Sequence, residues 1–313
     1  MATTLAEYAK LSNDVLVKGV VETIIKDSPV LQKMPFIQIM GNGLTYNREK
    51  SMTAAAFYAV DDSWAAPPAV AFDQLTAVLK ILGQDADVDN YVRSTRSNVQ
   101  DIEAVIIELT AKSVRSKFEQ TFIYGTTAAY LTNQTVEANA FDGLIKLIDT
   151  KVGNAQVIAM AATGATLTLA KLDELIDAVK GGKPDLLLMS RRSRRKLTTL
   201  MRALGSLEVS QDEFGNFVNL YNGIPLGIND WILDTHTLVA SLETAIDGGT
   251  CSTIYALQFG EGALSGITGP DNLQVEKIGI LESKDATRNR IKWYCALADF
   301  ATVKRAALIG VQD

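Results

Sequence analysis

The longest uninterrupted helical signal in the chain runs from Asn98 to Tyr124, and it limits the folds that the chain can adopt. Ser97 with Gln100 three residues later matches a capping box, and neither Gly nor Pro follows until Gly125. A helix of this length is about 40 Å long, which exceeds the width of a small domain. Its apolar positions form two stripes, Val99-Ile102-Ile106-Leu109 and Ile107-Val114-Phe118-Phe122. We therefore expect a long helix that packs on more than one side.

The stretch from Leu44 to about Leu82 has strand-like residues that never gather into a core-forming pattern. Gly41-Asn42-Gly43 predicts a turn, a strand follows as far as Val60, and a second strand is predicted from Leu75 to Leu82. Two strands alone bury too little surface to be stable. The sequence therefore predicts an extended ribbon that needs a partner to lie on.

The rest of the chain predicts an α+β fold. Residues from Met1 to about Met40 are interrupted by prolines and are interpreted as an arm. A helix, a strand and a helix are predicted at Leu169–Val179, Leu186–Met189 and Ser193–Ala203. The later strands are predicted at Leu226–Ile232, Ser252–Phe259, Leu273–Leu281, Arg290–Leu297 and Val303–Ile309.

Composition excludes several classes of protein. A hydrophobic fraction of 47% with 21% charged residues is typical of soluble globular chains. The net charge of -6 argues against a surface that binds DNA tightly and generally. Cys251 and Cys295 form no CxxC pair, so neither a disulfide framework nor a zinc site is indicated. The first residues lack the pattern of a signal peptide, and no apolar run is long enough for a membrane span.

Four motifs resemble functional sites, and a structural explanation is favoured for each. Asp85, Asp87 and Asp89 imitate an EF-hand opening, but the Gly and Glu that such a loop needs are replaced, so a strand with one wet face is predicted. Glycines at 260, 262 and 266 depart from the dinucleotide fingerprint and are predicted to lie in turns. The lone histidine, His236, has no recognisable partner motif and is predicted to lie in a loop. We expect no cofactor, no metal and no enzymatic activity.

The fourth motif is the dense basic cluster formed by Arg191, Arg192, Arg194, Arg195 and Lys196. Such a cluster can meet nucleic acid or the acidic tail of a scaffolding protein. A solvated helix face is the more frequent explanation, and it is favoured because no aromatic platform accompanies the cluster.

A series of segments, taken in order, resembles a known family. The segments are Leu5–Leu11, Gly19–Glu22, Ser28–Leu31, Gly41–Glu49, Ile81–Asp89, Phe141–Leu144, Ile254–Leu257, Phe259–Gly260 and Ile291–Cys295. In number and order they resemble the major capsid proteins of tailed bacteriophages with the HK97 fold, and they cover nearly the whole chain. The resemblance implies an N-terminal arm at 1–41, an E-loop at 42–82, a P-domain at 83–150 and 270–313 with a spine helix at about 98–124, and an A-domain at 151–269.

The resemblance also implies a function. The subunit is expected to form hexamers and pentamers of an icosahedral head that encloses double-stranded DNA without sequence-specific binding and without a membrane. A separate scaffolding protein and a portal protein are expected partners, with or without cementing proteins, and assembly is expected in the bacterial cytoplasm before the protein resides in the virion. The arm and E-loop residues expected to contact other subunits are Phe36, Tyr46, Arg48, Glu49, Phe57, Tyr58 and Trp64. Phe57, Tyr58 and Trp64 are expected to anchor the ribbon, since aromatic side chains dominate interface energies. The alternative is that these three fold back onto their own domain.

Three alternatives remain open at this stage. An encapsulin-type nanocompartment shell shares the fold and carries enzymes instead of a genome. A hydrolase would require a nucleophile with a matched base. A tail or head-decoration protein would form rings, tubes or trimers.

Overall fold

The structure is a computed structural model that describes residues 28–51, 55, 57–64, 71–96, 102–205, 208–211, 217–270 and 274–313. This part of the chain is an α+β fold, as predicted. The helices are α1 (Pro29–Lys33), α2 (Asn90–Arg96), α3 (Ile102–Tyr124), α4 (Leu144–Ile148), α5 (Leu169–Ala178) and α6 (Arg191–Leu204). The strands are β1 (Phe36–Gln38), β2 (Gly43–Ser51), β3 (Ala71–Val78), β4 (Lys80–Asp89), β5 (Val157–Ala159), β6 (Ala165–Thr166), β7 (Leu186–Met189), β8 (Glu208–Gln211), β9 (Phe217–Tyr221), β10 (Ile224–Ile228), β11 (Thr237–Val239), β12 (Leu242–Ala245), β13 (Ser252–Leu257), β14 (Leu264–Thr268), β15 (Gln274–Ile280), β16 (Ala286–Asp299) and β17 (Arg305–Gln312).

Helix α3 is the long helix that the sequence predicts. Its end at Tyr124 is confirmed, whereas the predicted capping box and Asn98 lie outside the described residues. The helix ends just before Gly125, where the backbone of residue 141 approaches closely. A Cβ at position 125 would lie 2.3 Å from the carbonyl oxygen of Phe141, so only glycine fits there. Packing on two sides is also confirmed: Ile102 joins a small cluster with β4 and α2, and Phe118 lies in the main core.

The larger sheet has eight strands in the order β5-β17-β13-β7-β10-β9-β8, with β6 beside β17. Strands β7 and β13 are buried along their whole length, because helices cover both faces. One face packs against α5 and α6 through side chains that include Leu172 and Leu197. The opposite face packs against α3 and α4 through Phe122 and Ile145.

The smaller sheet has five strands. Four follow the order β1-β14-β16-β15, and β4 pairs with residues 286–295 of β16. The chain passes from the smaller sheet to the larger one directly after β16. Residues 300–304, which include a 3-10 turn at Thr302–Lys304, connect β16 to β17. This short connection places the ends of the two sheets side by side.

The predicted helices and strand at 169–203 are confirmed as α5, β7 and α6. The predicted strand Leu226–Ile232 is too long, because Asn229 begins a turn in which its Oδ1 accepts a hydrogen bond from the Trp231 N–H at 2.8 Å. The last strand begins at Arg305, since Val303 lies in the 3-10 turn.

The two predicted strands of the ribbon also differ from β2 and β3. The first strand ends at Ser51 and does not reach Val60. The second strand is interrupted at Leu79, and the chain then continues as β4 in the smaller sheet. The ribbon is thus mainly the hairpin β2–β3, which is followed directly by β4 of the smaller sheet.

Candidate assembly surface: the ribbon and its anchor

The ribbon is the antiparallel pair β2–β3, with cross-strand pairing from Gly43↔Val78 to Ser51↔Ala71. Nine residues of strand extend about 30 Å. On the solvent side, the hydroxyls of Thr45 and Thr76 lie 3.1 Å apart across the strands. In the described part of the chain, no third strand pairs with this hairpin.

The base of the ribbon packs on the smaller sheet of its own chain. Leu44 and Ala77 contact a buried cluster that contains Ile267 and Ala298. The Tyr46 ring lies 4.8 Å from the ring of Phe300, centroid to centroid. Burial raises the pKa of Tyr46, which agrees with a phenol that is partly enclosed by protein. The sequence predicts a ribbon that needs a partner because it has no adequate hydrophobic bed in its own subunit, and this prediction is wrong for the base.

An ion pair and a hydrogen bond strengthen this attachment. Arg48 Nη1 lies 3.1 Å from Asp299 Oδ2, and the Asp299 backbone N–H donates to the Tyr46 hydroxyl at 3.2 Å. Asp299 also pairs with Arg305, at 2.7 Å from its Nη2. The sequence analysis missed Asp299 and Arg305, because nothing in the local pattern links them to a ribbon about 250 residues away.

The tip of the ribbon is different, because its apolar side chains face solvent. Phe57 and Val60 are fully exposed, Trp64 is 78% exposed and Phe72 is 65% exposed. The Tyr58 and Trp64 rings stack with centroids 4.4 Å apart. Several exposed large apolar side chains on one projection are typical of an interaction surface. We define Phe57, Tyr58, Val60 and Trp64 as the ribbon tip.

The seven residues that the sequence selected as contacts do not form one group. Tyr46 and Arg48 lie at the base, and Phe57, Tyr58 and Trp64 lie at the tip. Phe36 lies in the core of its own chain, where its ring is 5.4 Å from that of Trp293 and 6.2 Å from that of Phe118. Glu49 pairs with Phe72 across the ribbon through its backbone, and its side chain lies outside the described structure. Contact with a neighbouring subunit stays a prediction for all seven.

His236 is not a loop residue without a partner, so that prediction is wrong. Its side chain is completely buried, and its backbone pairs with Cys251. The Tyr124 hydroxyl lies 2.8 Å from His236 Nε2 and accepts a hydrogen bond from the Leu233 N–H at 2.8 Å. His236 was missed as a structural residue because Tyr124 is distant in sequence. It joins the end of α3 to the larger sheet.

The aspartates of the EF-hand-like pattern lie on β4, as the predicted strand requires. Asp85 pairs with Arg290, and Asp87 pairs with Arg288 and Lys284. Hydrogen bonds from these basic side chains hold the pKa values of Asp85 and Asp87 below their usual range. Asp89 accepts backbone N–H groups at the start of α2. The described residues contain no group of metal-ligating side chains that could hold an ion.

The basic cluster lies at the start of α6, as the predicted helix requires. Arg191 forms a two-bond ion pair with Asp230, and Arg192 donates to the carbonyl oxygens of Thr250 and Val311. Two of the five basic residues thus have structural partners.

The glycine prediction is correct for Gly260 and Gly262 but wrong for Gly266. Gly266 lies inside β14, where a Cβ would be 2.4 Å from the Phe36 ring.

No helix within the described ranges combines the length and apolar character that a membrane crossing requires.

Comparison with known proteins decides the family. The model of the family described as SU10 major capsid protein matches residues 45–239, more than half of the chain. The chain belongs to the SU10 major capsid protein family. This capsid protein matches no curated protein sequence. The prediction of a capsid shell subunit is confirmed.

Solved structures with the same fold include both viral capsids and an encapsulin. The capsid protein is similar to the holo-SrpI encapsulin of Synechococcus elongatus PCC 7942, with 16% identity, coverage of 100% of this chain and 97% of that chain, and a TM-score of 0.65. It is similar to the structure from Mycobacterium phage Cain, with 16% identity, coverage of 100% and 99%, and a TM-score of 0.61. The capsid of Myoviridae phage XM1 has 14% identity, coverage of 92% and 94%, and a TM-score of 0.58. The predicted HK97-like fold is thereby confirmed.

Proposed function

We propose that this capsid protein assembles with copies of itself into hexamers and pentamers of an icosahedral phage head that encloses double-stranded DNA. The observation that supports this proposal is the ribbon, whose base is fixed to its own subunit while its tip exposes three large apolar side chains, Phe57, Val60 and Trp64. Burying exposed aromatic side chains against a second subunit removes apolar surface from water on both sides. The tip is therefore proposed to lie on a neighbouring subunit.

The four-part division of the chain is part of the proposal. Residues 1–41 form the arm and 42–82 the E-loop, which contains β2 and β3. The P-domain is built from 83–150 and 270–313, and the A-domain from 151–269. Strand β17 lies at the end of the second P-domain segment and hydrogen-bonds with β13 in the larger sheet. The two domains therefore share this strand.

The proposed partners follow from the same role. A separate scaffolding protein directs closure, a portal protein occupies one vertex, and cementing proteins bind some shells. The protein assembles in the bacterial cytoplasm and resides in the virion. It performs no chemistry, and the packaged DNA is enclosed without sequence-specific contacts, consistent with the net charge of -6.

Replacement of the tip aromatics tests the proposal. In the variant Phe57→Ser with Trp64→Ser, we expect the melting temperature of the free subunit to change by about 2 °C or less, because both rings are exposed. The yield of closed shells, measured by sedimentation and cryo-EM after co-production with the scaffolding protein, should fall at least about tenfold. Leu204→Ser is the matched control, since Leu204 is 67% exposed at the end of α6. Normal shells from the tip variant would contradict the proposal.

An encapsulin-type shell is a second candidate, favoured by the similarity to the SrpI encapsulin over the full chain. The two candidates differ in what closes the shell and what fills it. Small uniform shells that form from this chain alone and contain protein instead of DNA would support the encapsulin. Closure that requires a scaffold would support the phage head.

A further inference from the structure

A single buried carboxylate connects the ribbon with both sheets. Asp299 is the last residue of β16, and Arg305 is the first residue of β17. Both are only 3% exposed. They therefore stand at the two ends of the short connection between the smaller and the larger sheet.

The contacts of Asp299 reach three parts of the molecule. Its Oδ2 accepts from Arg48 Nη1 at 3.1 Å and from Arg305 Nη2 at 2.7 Å. The same Nη2 of Arg305 donates to the carbonyl oxygen of Leu147 in α4 at 2.6 Å. The Asp299 backbone N–H donates to Tyr46 at 3.2 Å. The ribbon, the smaller sheet and the larger sheet thus meet at one residue.

The buried pair of Asp299 and Arg305 is not an efficient way to raise the free energy of unfolding. Burial raises the pKa of Asp299 and lowers that of Arg305, so neither charge is well solvated there. Apolar residues of similar volume often replace a buried ion pair without loss of stability, whereas a buried polar network can fix one arrangement among several. The apolar contacts of Leu44 and Ala77 at the ribbon base are non-directional and do not fix one orientation of the ribbon. The ion pair and hydrogen bond of Asp299 are directional and can fix it.

The direction of the ribbon matters because the ribbon extends beyond Arg48. Three residues of β2, about 10 Å of strand, follow Arg48, so a turn of about 10° there moves the end of β2 by about 2 Å. That displacement exceeds the tolerance of a packed interface, which is complementary at the scale of single atoms. A small change at the base would therefore alter where a neighbouring subunit is held.

We propose that Asp299 is a positioning residue for assembly, which holds Arg48 against Arg305 and so sets the angle at which the ribbon leaves the body and the curvature of the shell. This inference rests on the proposed contact between the ribbon tip and a neighbouring subunit. Arg48 links Asp299 to the ribbon. Arg305 links Asp299 to the larger sheet.

The variants Arg48→Gln and Arg48→Lys test the inference, because Arg48 is partly exposed and its removal leaves Asp299 paired with Arg305. For Arg48→Gln we expect faster hydrogen exchange in residues 43–51 and 71–78, unchanged exchange in α3, and shells of mixed diameter in cryo-EM. Arg48→Lys should restore a larger share of shells with the wild-type diameter. Lys171→Gln is the control, since it removes the ion pair with Glu174 on α5.

Each outcome separates this inference from the proposed function. Uniform wild-type shells from Arg48→Gln would overturn the inference and leave the proposed function intact. Faster exchange throughout the body, with no change specific to the ribbon, would also overturn it, because Arg48 would then be a general stabilising residue. Failure of the wild-type protein to form shells with its scaffold would instead count against the proposed function.

Discussion

Nδ1 of His236 lies 2.7 Å from Oε1 of Glu243, and both side chains are completely buried. Glu243 also accepts a hydrogen bond from Thr253 at 2.5 Å. Burial alone would raise the pKa of Glu243, but the interaction with His236 outweighs it and the pKa is lowered. With its proton on Nδ1, His236 donates to Glu243 Oε1 and accepts from Tyr124, so both ring nitrogens of His236 have a hydrogen-bond partner.

Removal of Glu243 should destabilise the subunit strongly. Glu243→Ala leaves the His236 N–H and the Thr253 hydroxyl without their buried acceptor. Breaking a buried pair in this way costs about 3–5 kcal/mol of the free energy of unfolding. Denaturant titration of the free subunit measures this loss. Glu261→Ala, at an exposed position, should change the free energy by less than about 0.5 kcal/mol, and equal effects of the two substitutions would refute the network.

The aspartate pairs on β4 should make stability depend on acid pH. The pKa of Asp87 is lower in the folded chain than in the unfolded chain, where it is about 3.9. Its ionised form therefore favours folding above that value, and the contribution is lost as the pH falls through it toward the folded pKa. Unfolding free energies of the wild type and Asp87→Asn should differ at pH 6 and converge between about pH 4 and pH 2. Asp177→Asn, on an exposed position of α5, should give parallel curves, and a constant gap for Asp87→Asn would contradict the assignment.

Phe118 is expected to be a principal core residue. Its ring is completely buried and lies 4.7 Å from the Trp293 ring and 5.5 Å from the Phe141 ring. Phe118→Ala should cost about 3–5 kcal/mol, because it removes apolar contacts and leaves a cavity. Phe72→Ala is the matched control on the exposed ribbon, where we expect less than about 0.5 kcal/mol in the free subunit. Chemical unfolding of both variants provides the comparison.

A methyl group on Gly266 should disturb the contact between β14 and β1. The added Cβ would lie 2.4 Å from the Phe36 ring, which must shift to accommodate it. Overpacking of this kind costs about 1–3 kcal/mol. In Gly262→Ala the new Cβ would meet, among the described residues, only the flexible end of Lys304 within 4 Å, at 3.8 Å, so little change is expected. A thermal melt that does not distinguish the two variants would contradict the close packing.

The sequence predicted those features that depend on local pattern. The absence of Gly and Pro before Gly125 predicted the end of α3, and the polar strand pair after Gly43 predicted the ribbon. The order of short segments along the chain indicated the family. Each of these signals lies within a few residues or in their sequence order.

The sequence did not predict contacts between distant residues. Asp299 binds Arg48 across 251 positions, and His236 meets Tyr124 across 112 positions. Local charge and hydrophobic periodicity do not indicate which distant residues will pair. The interrupted strand at Asn229 was missed for a related reason, since the turn depends on a single side-chain hydrogen bond that overrides an apolar run.

The position of the ribbon tip in an assembled shell tests the central claim most directly. A cryo-EM reconstruction at side-chain resolution should place the Trp64 and Phe57 rings against apolar side chains of a neighbouring subunit, with most of their surface removed from water. Rings that point into solvent in the closed shell, or that fold back onto their own subunit, would contradict the account.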